Sequence, residues 1–242
     1  MNRRNLLCLG ITVACASFLL FSSGFSVRNL YAQDTGWAPK LEKTEIFTGR
    51  QLEWFTHGSA PEWKAVNPEQ KDSFAVMYPK TEVKPGEKRP LYVVLHSAGH
   101  DVKSCLECTK TVGNHDIYRA PDNFYALYVD CRANQATDWW WGGLSAREMP
   151  SAENAHKAGF ALSPCEKRVM DTVAWTIQKY GIDANRVYLC GNSMGGSGTL
   201  GIGLRHGDVF AAIKANVPAG VLHAATRMGF MDEKGENIPW EN

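Results

Sequence analysis

From residue 73 onward, short apolar runs alternate along the chain with segments whose apolar positions recur at helical spacing. The runs lie at 73–78, 91–95, 124–130, 186–190 and 210–217, and each has the length of a strand. The run at 91–95 (LYVVL) carries no charge, which is typical of a parallel strand buried on both faces. The pattern therefore predicts five strands of a sheet with a buried centre.

Two helices are predicted between these strands. The first has Ser163 as N-cap, Pro164 at the first helical position and Glu166 to complete a capping box, and it ends at Gly181. The second covers 194–206 despite its glycines. Strands that alternate with crossover helices predict an α/β fold with a mostly parallel sheet and helices on both faces.

The amino terminus has the pattern of a signal peptide over residues 1–32. Arg3 and Arg4 precede an apolar run at 6–21, and small residues lead to a cleavage site after Ala32. The arginine pair also fits a twin-arginine signal. The alternative is a membrane anchor, which needs about 18 consecutive apolar residues, but serines interrupt this run from position 22 onward. We therefore expect export to the periplasm or the exterior, with no stable membrane span after cleavage.

Composition limits the number of domains and the class of partner. The 242 residues suit one α/β domain over 73–242, preceded by an N-terminal lead at 33–72 with weak strand signals near 52–55. The net charge is +1, and removing the three arginines of 1–32, which has no acidic residue, gives 1 − 3 = −2. Because there is no basic excess, nucleic acid is not an expected partner.

Five cysteines follow the signal peptide, and export would permit disulfides. Cys190 ends a strand pattern, so we expect it to be a buried free thiol. The other four, Cys105, Cys108, Cys131 and Cys165, are enough for two bridges whose connectivity the sequence leaves open. Cys105 and Cys108 have no second pair at zinc spacing, so no metal site is predicted.

The segment Gly191-Asn-Ser193-Met-Gly195 lies directly between a strand pattern and a helix pattern. A nucleophile elbow needs this arrangement, because the serine occupies a strained turn and glycines let two backbones pass closely. The helix that begins behind the serine favours developing negative charge. The alternative is an ordinary glycine-rich turn between a strand and a helix.

A second loop, His96-Ser97-Ala98-Gly99-His100, follows the buried strand at 91–95. The oxyanion of a tetrahedral intermediate needs two N–H groups aimed at one point, and the amides of Met194 and Ala98 (or Ser97) could supply them. We expect the two histidines to form a hydrogen-bonded pair that shapes the loop, rather than to act as the catalytic base.

Residues from about 73 to 219 resemble the α/β-hydrolase superfamily, and the elbow RVYLCGNSMGG is similar to those of exported esterases and prolyl-oligopeptidase-like hydrolases. The resemblance implies Ser193 as the nucleophile, with Met194 and Ala98 as backbone oxyanion donors. It implies a serine hydrolase that cleaves small-molecule or polymer carboxylic esters through an acyl-enzyme, without a cofactor. The resemblance leaves three alternatives: a prolyl-oligopeptidase-like peptidase, an acyltransferase that uses the same nucleophile, and a non-catalytic binding domain.

The chain departs from that family after the serine. There the acid and the histidine follow the nucleophile, but only 242 − 193 = 49 residues follow Ser193 here, and the strand pattern stops after Val217. His206 falls at the far end of the helix, which leaves His223 with Asp232 as the candidate triad partners. We expect instead that this sequence is the front of a longer hydrolase, with its last strands and triad partners missing.

Three consecutive tryptophans, Trp139, Trp140 and Trp141, precede two glycines in the loop after the strand at 124–130. They could form an aromatic platform for a sugar ring or an aromatic acyl group. They could equally pack against the edge of the sheet. Asp130 and Asp138 are interpreted as strand-end and loop residues rather than catalytic acids.

Overall fold

In the computed structural model, the described residues (37–63, 69, 71–131, 140, 162 and 164–219) form a seven-stranded sheet with three α-helices. The strands are β1 (Lys40–Phe47), β2 (Arg50–His57), β3 (Asp72–Met77), β4 (Leu91–Leu95), β5 (Tyr125–Val129), β6 (Val187–Asn192) and β7 (Ala212–Asn216). The helices are α1 (Val102–Cys108), α2 (Pro164–Tyr180) and α3 (Met194–Arg205).

The strand order is β1-β2-β3-β5-β4-β6-β7. Strands β5, β4, β6 and β7 pair in parallel, whereas β1, β2 and β3 join the sheet through antiparallel pairings. Only β1 and β3 therefore run against the direction shared by the other strands. The predicted α/β fold is confirmed. The segment 33–72 was expected to hold only a weak strand near 52–55, but β1 and β2 form there and belong to the same sheet as β3–β7.

Helices cover both faces of the sheet, as predicted. One apolar layer includes Val169 and Val173 of α2 and Ile202 of α3, packed on inward side chains of the central strands. The opposite layer includes Val102 and Leu106 of α1. Burial on both faces explains why the central strands read as continuous apolar runs.

Helix α2 begins at Pro164, and Gly181, with a φ of +62°, follows its last residue as predicted. The proposed N-cap Ser163 lies outside the described residues. Glu166 is fully buried, and its Oε1 lies 3.1 Å from Nε2 of His206, at the end of α3. Arg168, also on α2, is buried and places its Nε 3.5 Å from Oδ2 of Asp72 at the start of β3.

No disulfide joins any of the five described cysteines, so the two bridges considered from the sequence do not form. Cys105 lies in the apolar layer under α1, whereas Cys131 and Cys165 lie in the layer on the other side of the sheet. The prediction for Cys190 is confirmed: it is buried, its Sγ lies 3.4 Å from the Ile117 carbonyl oxygen, and burial raises the pKa of the thiol to about 12.

Neither a membrane span nor a metal centre is formed by the residues that the structure describes. Within those ranges no helix has the length and apolar character needed to cross a bilayer. Within the same ranges no three His, Cys, Asp or Glu side chains are grouped as metal ligands would be.

Candidate active site

Ser193 lies at the junction of β6 and α3 in a backbone conformation that non-glycine residues rarely adopt. Its φ is 54° and its ψ is −114°. The Ser193 N–H donates to the Asn216 carbonyl at 3.0 Å, and the Ser193 carbonyl accepts from the amides of Ser197 at 2.9 Å and Ala219 at 3.2 Å. Such a conformation costs on the order of 1–3 kcal/mol and persists only where surrounding contacts fix it, often at functional sites.

Glycines on both sides of Ser193 allow the backbones to approach. A Cβ on Gly191 would overlap the backbone of Gly195. A Cβ on Gly195 would overlap the Leu95 carbonyl and lie 2.8 Å from the His96 carbonyl oxygen. The G-x-S-x-G spacing is therefore explained by two contacts, one within the turn and one with the end of β4.

The loop after β4 forms a tight turn with Ala98 exposed at its tip. The His100 amide donates to the Ser97 carbonyl at 3.1 Å, and Gly99 has a φ of +75°, as a type II turn requires. The Ser97 N–H donates to the Tyr118 hydroxyl at 2.9 Å, so it is already engaged. Of the two amides considered for the second oxyanion donor, only that of Ala98 has no partner among the described residues.

Hydrogen bonds join this loop to the Ser193 turn. Ser97 Oγ donates to the Asn192 carbonyl, and Asn192 Nδ2 donates back to Ser97 Oγ, each at 3.0 Å. Asn216, which is paired with Asn192 across β6 and β7, donates through Nδ2 to Asn192 Oδ1. Because β4, β6 and β7 are adjacent parallel strands, their carboxyl ends bring the two sequence motifs to one edge of the sheet.

The expected pairing between the two loop histidines is wrong. His96 does shape the loop, but its Nδ1 lies 2.8 Å from the Ser97 carbonyl and its Nε2 lies 3.3 Å from Oδ1 of Asp130. The His100 ring instead lies 5.0 Å from the His115 ring, centroid to centroid. Burial, then the neighbouring His115, lowers the pKa of His100.

Trp140 packs in the core and does not form a platform. It is 0% exposed, its Nε1 donates to the His96 carbonyl at 3.2 Å, and a Cβ on Gly198 of α3 would lie 2.6 Å from its own Cβ. The platform interpretation is therefore wrong for Trp140, which packs on α3 and beside the end of the interior strand β4. Trp139, Trp141, His223 and Asp232 lie outside the described residues.

Comparison with solved structures places this geometry in a known fold. No family model and no curated protein matches the chain. A crystal structure described as "sOPH Native" matches with a TM-score of 0.52 and 14% identity, over 84% of this chain and 58% of that one. The chain has an α/β-hydrolase fold.

Two further solved structures are similar at lower TM-scores. An S-formylglutathione hydrolase from Agrobacterium tumefaciens has a TM-score of 0.47 and 18% identity, over 74% of this chain and 62% of that one. A ferulic acid esterase has a TM-score of 0.44 and 18% identity, over 72% and 60% of the two chains. The chain therefore spans about three fifths of the length of the solved structures it matches.

Sequence reasoning missed three polar residues of this candidate site: Tyr118, Asn192 and Asn216. Tyr118 lies in a 3-10 turn far along the chain from both motifs, and nothing near it in the sequence marks it. The two asparagines had a signal, because each is the last residue of its parallel strand and neighbouring parallel strands end at the same edge.

Proposed function

We propose that the chain is a serine hydrolase that cleaves carboxylic esters through an acyl-enzyme on Ser193. The observation that carries the proposal is the strained φ of 54° at Ser193, held where the β4 loop meets the start of α3. A serine in that position presents its hydroxyl at the carboxyl edge of the sheet, with an amide on each side of it.

In this mechanism Ser193 Oγ attacks the ester carbonyl, and the carbonyl oxygen becomes an oxyanion. The amides of Met194, the first residue of α3, and Ala98, at the tip of the β4 loop, donate to it. Collapse of the intermediate breaks the bond to the alcohol, which leaves with a proton. Water then attacks the acyl group, the acid departs and Ser193 is restored. Removing one such donor lowers kcat by about 10²–10³-fold.

The serine proton needs an acceptor. The candidates that follow Ser193 in this sequence are His223 as the base and Asp232 as the acid, and both lie outside the described residues. Three described histidines are engaged elsewhere: His206 with Glu166, His96 with Ser97 and Asp130, and His57 with the Gly58 carbonyl. Amide cleavage depends more strongly on a general acid than ester cleavage does, because an amine leaves only when protonated. Ester cleavage therefore needs less general-acid assistance from this site than amide cleavage does.

The proposed substrate is a small-molecule or polymer ester, met after export and removal of residues 1–32. No cofactor is required, because the chemistry uses only a hydroxyl, two amides and a proton acceptor.

The test is labelling of the full chain with a fluorophosphonate, read by intact mass. We compare wild type, Ser193→Ala and Ser73→Ala, the last removing a partly buried serine hydroxyl from β3. One adduct on wild type and Ser73→Ala, absent from Ser193→Ala, supports the proposal. Wild type that forms no adduct would instead favour the non-catalytic binding domain.

The substrate class is tested separately with p-nitrophenyl acetate and a prolyl p-nitroanilide peptide. Turnover of the acetate with little or none of the anilide supports the esterase. Faster turnover of the anilide would replace it with the peptidase.

A further inference from the structure

The β4 loop, residues 96–100, rests on a buried tyrosine that the proposed mechanism does not use. Tyr118 is 0% exposed, although its hydroxyl is polar. That hydroxyl accepts the Ser97 N–H at 2.9 Å and lies 2.8 Å from Ser97 Oγ. Tyr118 therefore contacts both the backbone N–H and the side-chain hydroxyl of Ser97. Ser97 directly precedes Ala98 in the loop.

The direction of each hydrogen bond around Ser97 can be assigned from its neighbours. The Asn192 carbonyl can only accept, so the Ser97 hydroxyl proton points to it. Ser97 Oγ then has only lone pairs left, and these accept from Asn192 Nδ2 and from the Tyr118 hydroxyl. The Tyr118 oxygen in turn accepts the Ser97 N–H. Each donor in this network has one acceptor, so it admits a single arrangement.

Tyr118 is itself held by several strands. The Tyr128 hydroxyl on β5 donates to the Tyr118 carbonyl at 2.9 Å, and the Tyr92 hydroxyl on β4 donates to the Ile117 carbonyl at 2.8 Å. The Cys190 thiol on β6 points to the same Ile117 carbonyl. The 3-10 turn that carries Tyr118 is thus fixed to the three central strands. Burial also raises the pKa of Tyr118, which keeps its hydroxyl neutral and able to donate.

We propose that Tyr118 is a positioning residue for catalysis: through Ser97 it fixes the turn whose Ala98 amide binds the oxyanion. The inference rests on the proposed function and adds a residue that never touches the substrate. Without the Tyr118 hydroxyl, the Ser97 amide would be buried without an acceptor, and a shift of the turn that restores a partner would displace the Ala98 amide. Transition-state binding would weaken, while binding of the uncharged ester would not.

The variant that tests this is Tyr118→Phe, with Tyr78→Phe as its matched control. Both remove one tyrosine hydroxyl, but that of Tyr78 donates to Glu53 Oε1 at 2.9 Å, at the opposite edge of the sheet, whereas that of Tyr118 contacts the β4 loop. For Tyr118→Phe we expect kcat on p-nitrophenyl acetate to fall roughly 10–100-fold with KM nearly unchanged. The fall is smaller than the roughly 10²–10³-fold loss on removing an oxyanion donor, because here the donor is displaced and not removed. The Ki of a trifluoromethyl ketone, which forms a tetrahedral adduct with serine, should rise by the same factor as kcat/KM falls.

The outcomes separate the two proposals. If wild type neither turns over the ester nor labels with the fluorophosphonate, the proposed function fails and the inference with it. If wild type is active but Tyr118→Phe has the kcat and Ki of Tyr78→Phe, the positioning role alone is refuted. Should Tyr118→Phe not fold, Ser97→Ala removes the Oγ end of the same network. A fall in kcat without a change in KM then supports the role, and wild-type kcat overturns it.

Discussion

Gly195 occupies the closest approach between the Ser193 turn and the end of β4, so Gly195→Ala is the sharpest single perturbation of the site. The added Cβ would overlap the Leu95 carbonyl and lie 2.8 Å from the His96 carbonyl oxygen. Both neighbours are backbone atoms, which cannot rotate away as a side chain can. The strain must therefore be relieved by moving α3 or β4.

The expected size of the effect follows from two opposing contributions. Overpacking of this kind costs about 1–3 kcal/mol, and rigid backbone neighbours place Gly195→Ala near the upper value. Alanine has a higher helix propensity than glycine, which stabilises α3 by about 1 kcal/mol. The net loss of about 2 kcal/mol corresponds to a fall in Tm of about 4–8 °C for a domain of this size.

The assay is thermal unfolding followed by circular dichroism, with Gly207→Ala as control. A Cβ at Gly207 meets nothing within 4 Å, so that variant should melt within a degree or two of wild type, at the same or a slightly higher temperature. We also expect slower fluorophosphonate labelling of Gly195→Ala, because the β4 loop moves with Leu95. Equal melting temperatures for the two variants would show that the Ser193 turn and β4 do not approach each other this closely, and would refute the reasoning.

Three further predictions concern stability and thiol chemistry. Arg168→Met should lower the free energy of unfolding by about 3–5 kcal/mol in urea titrations, because it leaves the buried Asp72 without this cation, and unchanged stability would contradict a native pair. Burial lowers the pKa of His57 to about 4. In the unfolded chain the pKa of His57 is about 6.5, so below that pH the unfolded chain binds a proton on His57 that the folded chain does not. The free energy of unfolding should therefore fall by about 2 kcal/mol between pH 7 and pH 5, and His57→Leu should abolish most of this pH dependence. Of the five described cysteines, the partly exposed Cys108 should react first with a thiol reagent in the native protein, as peptide mapping would show, and Cys105 only on unfolding.

The strands of the parallel region could be predicted because their signal is local. The run at 91–95 coincides with β4, and the helix expected after Ser163 is observed over Pro164–Tyr180. Strand β1 has no such signal: most of its side chains are exposed, and four of its eight residues are charged. It forms because it pairs with β2 in a hairpin closed by residues 48 and 49, where Trp54 Nε1 of β2 donates to Glu45 Oε1 at 2.7 Å.

The site divides in the same way. Ser193 and Ala98 lie in short motifs whose glycines reveal tight turns, so the sequence identifies them. Helix α1 was not predicted because it has only seven residues and because its two cysteines suggested disulfide or metal chemistry. The structure shows a capping box between Asp101 and Ser104 at its start. The contact of Tyr118 with Ser97 depends on the tertiary fold, and no pattern within either segment indicates it.

The strand order also has a consequence for synthesis of the chain. Strand β4 lies between β5 and β6, but β6 begins 187 − 129 = 58 residues after β5 ends. At a synthesis rate of about 5–20 residues per second, one edge of β4 stays unpaired for about 3–12 s until the ribosome has made β6. Lys88, Arg89 and Pro90 stand immediately before it. Charged residues and proline beside an apolar strand discourage other chains from pairing with its open edge.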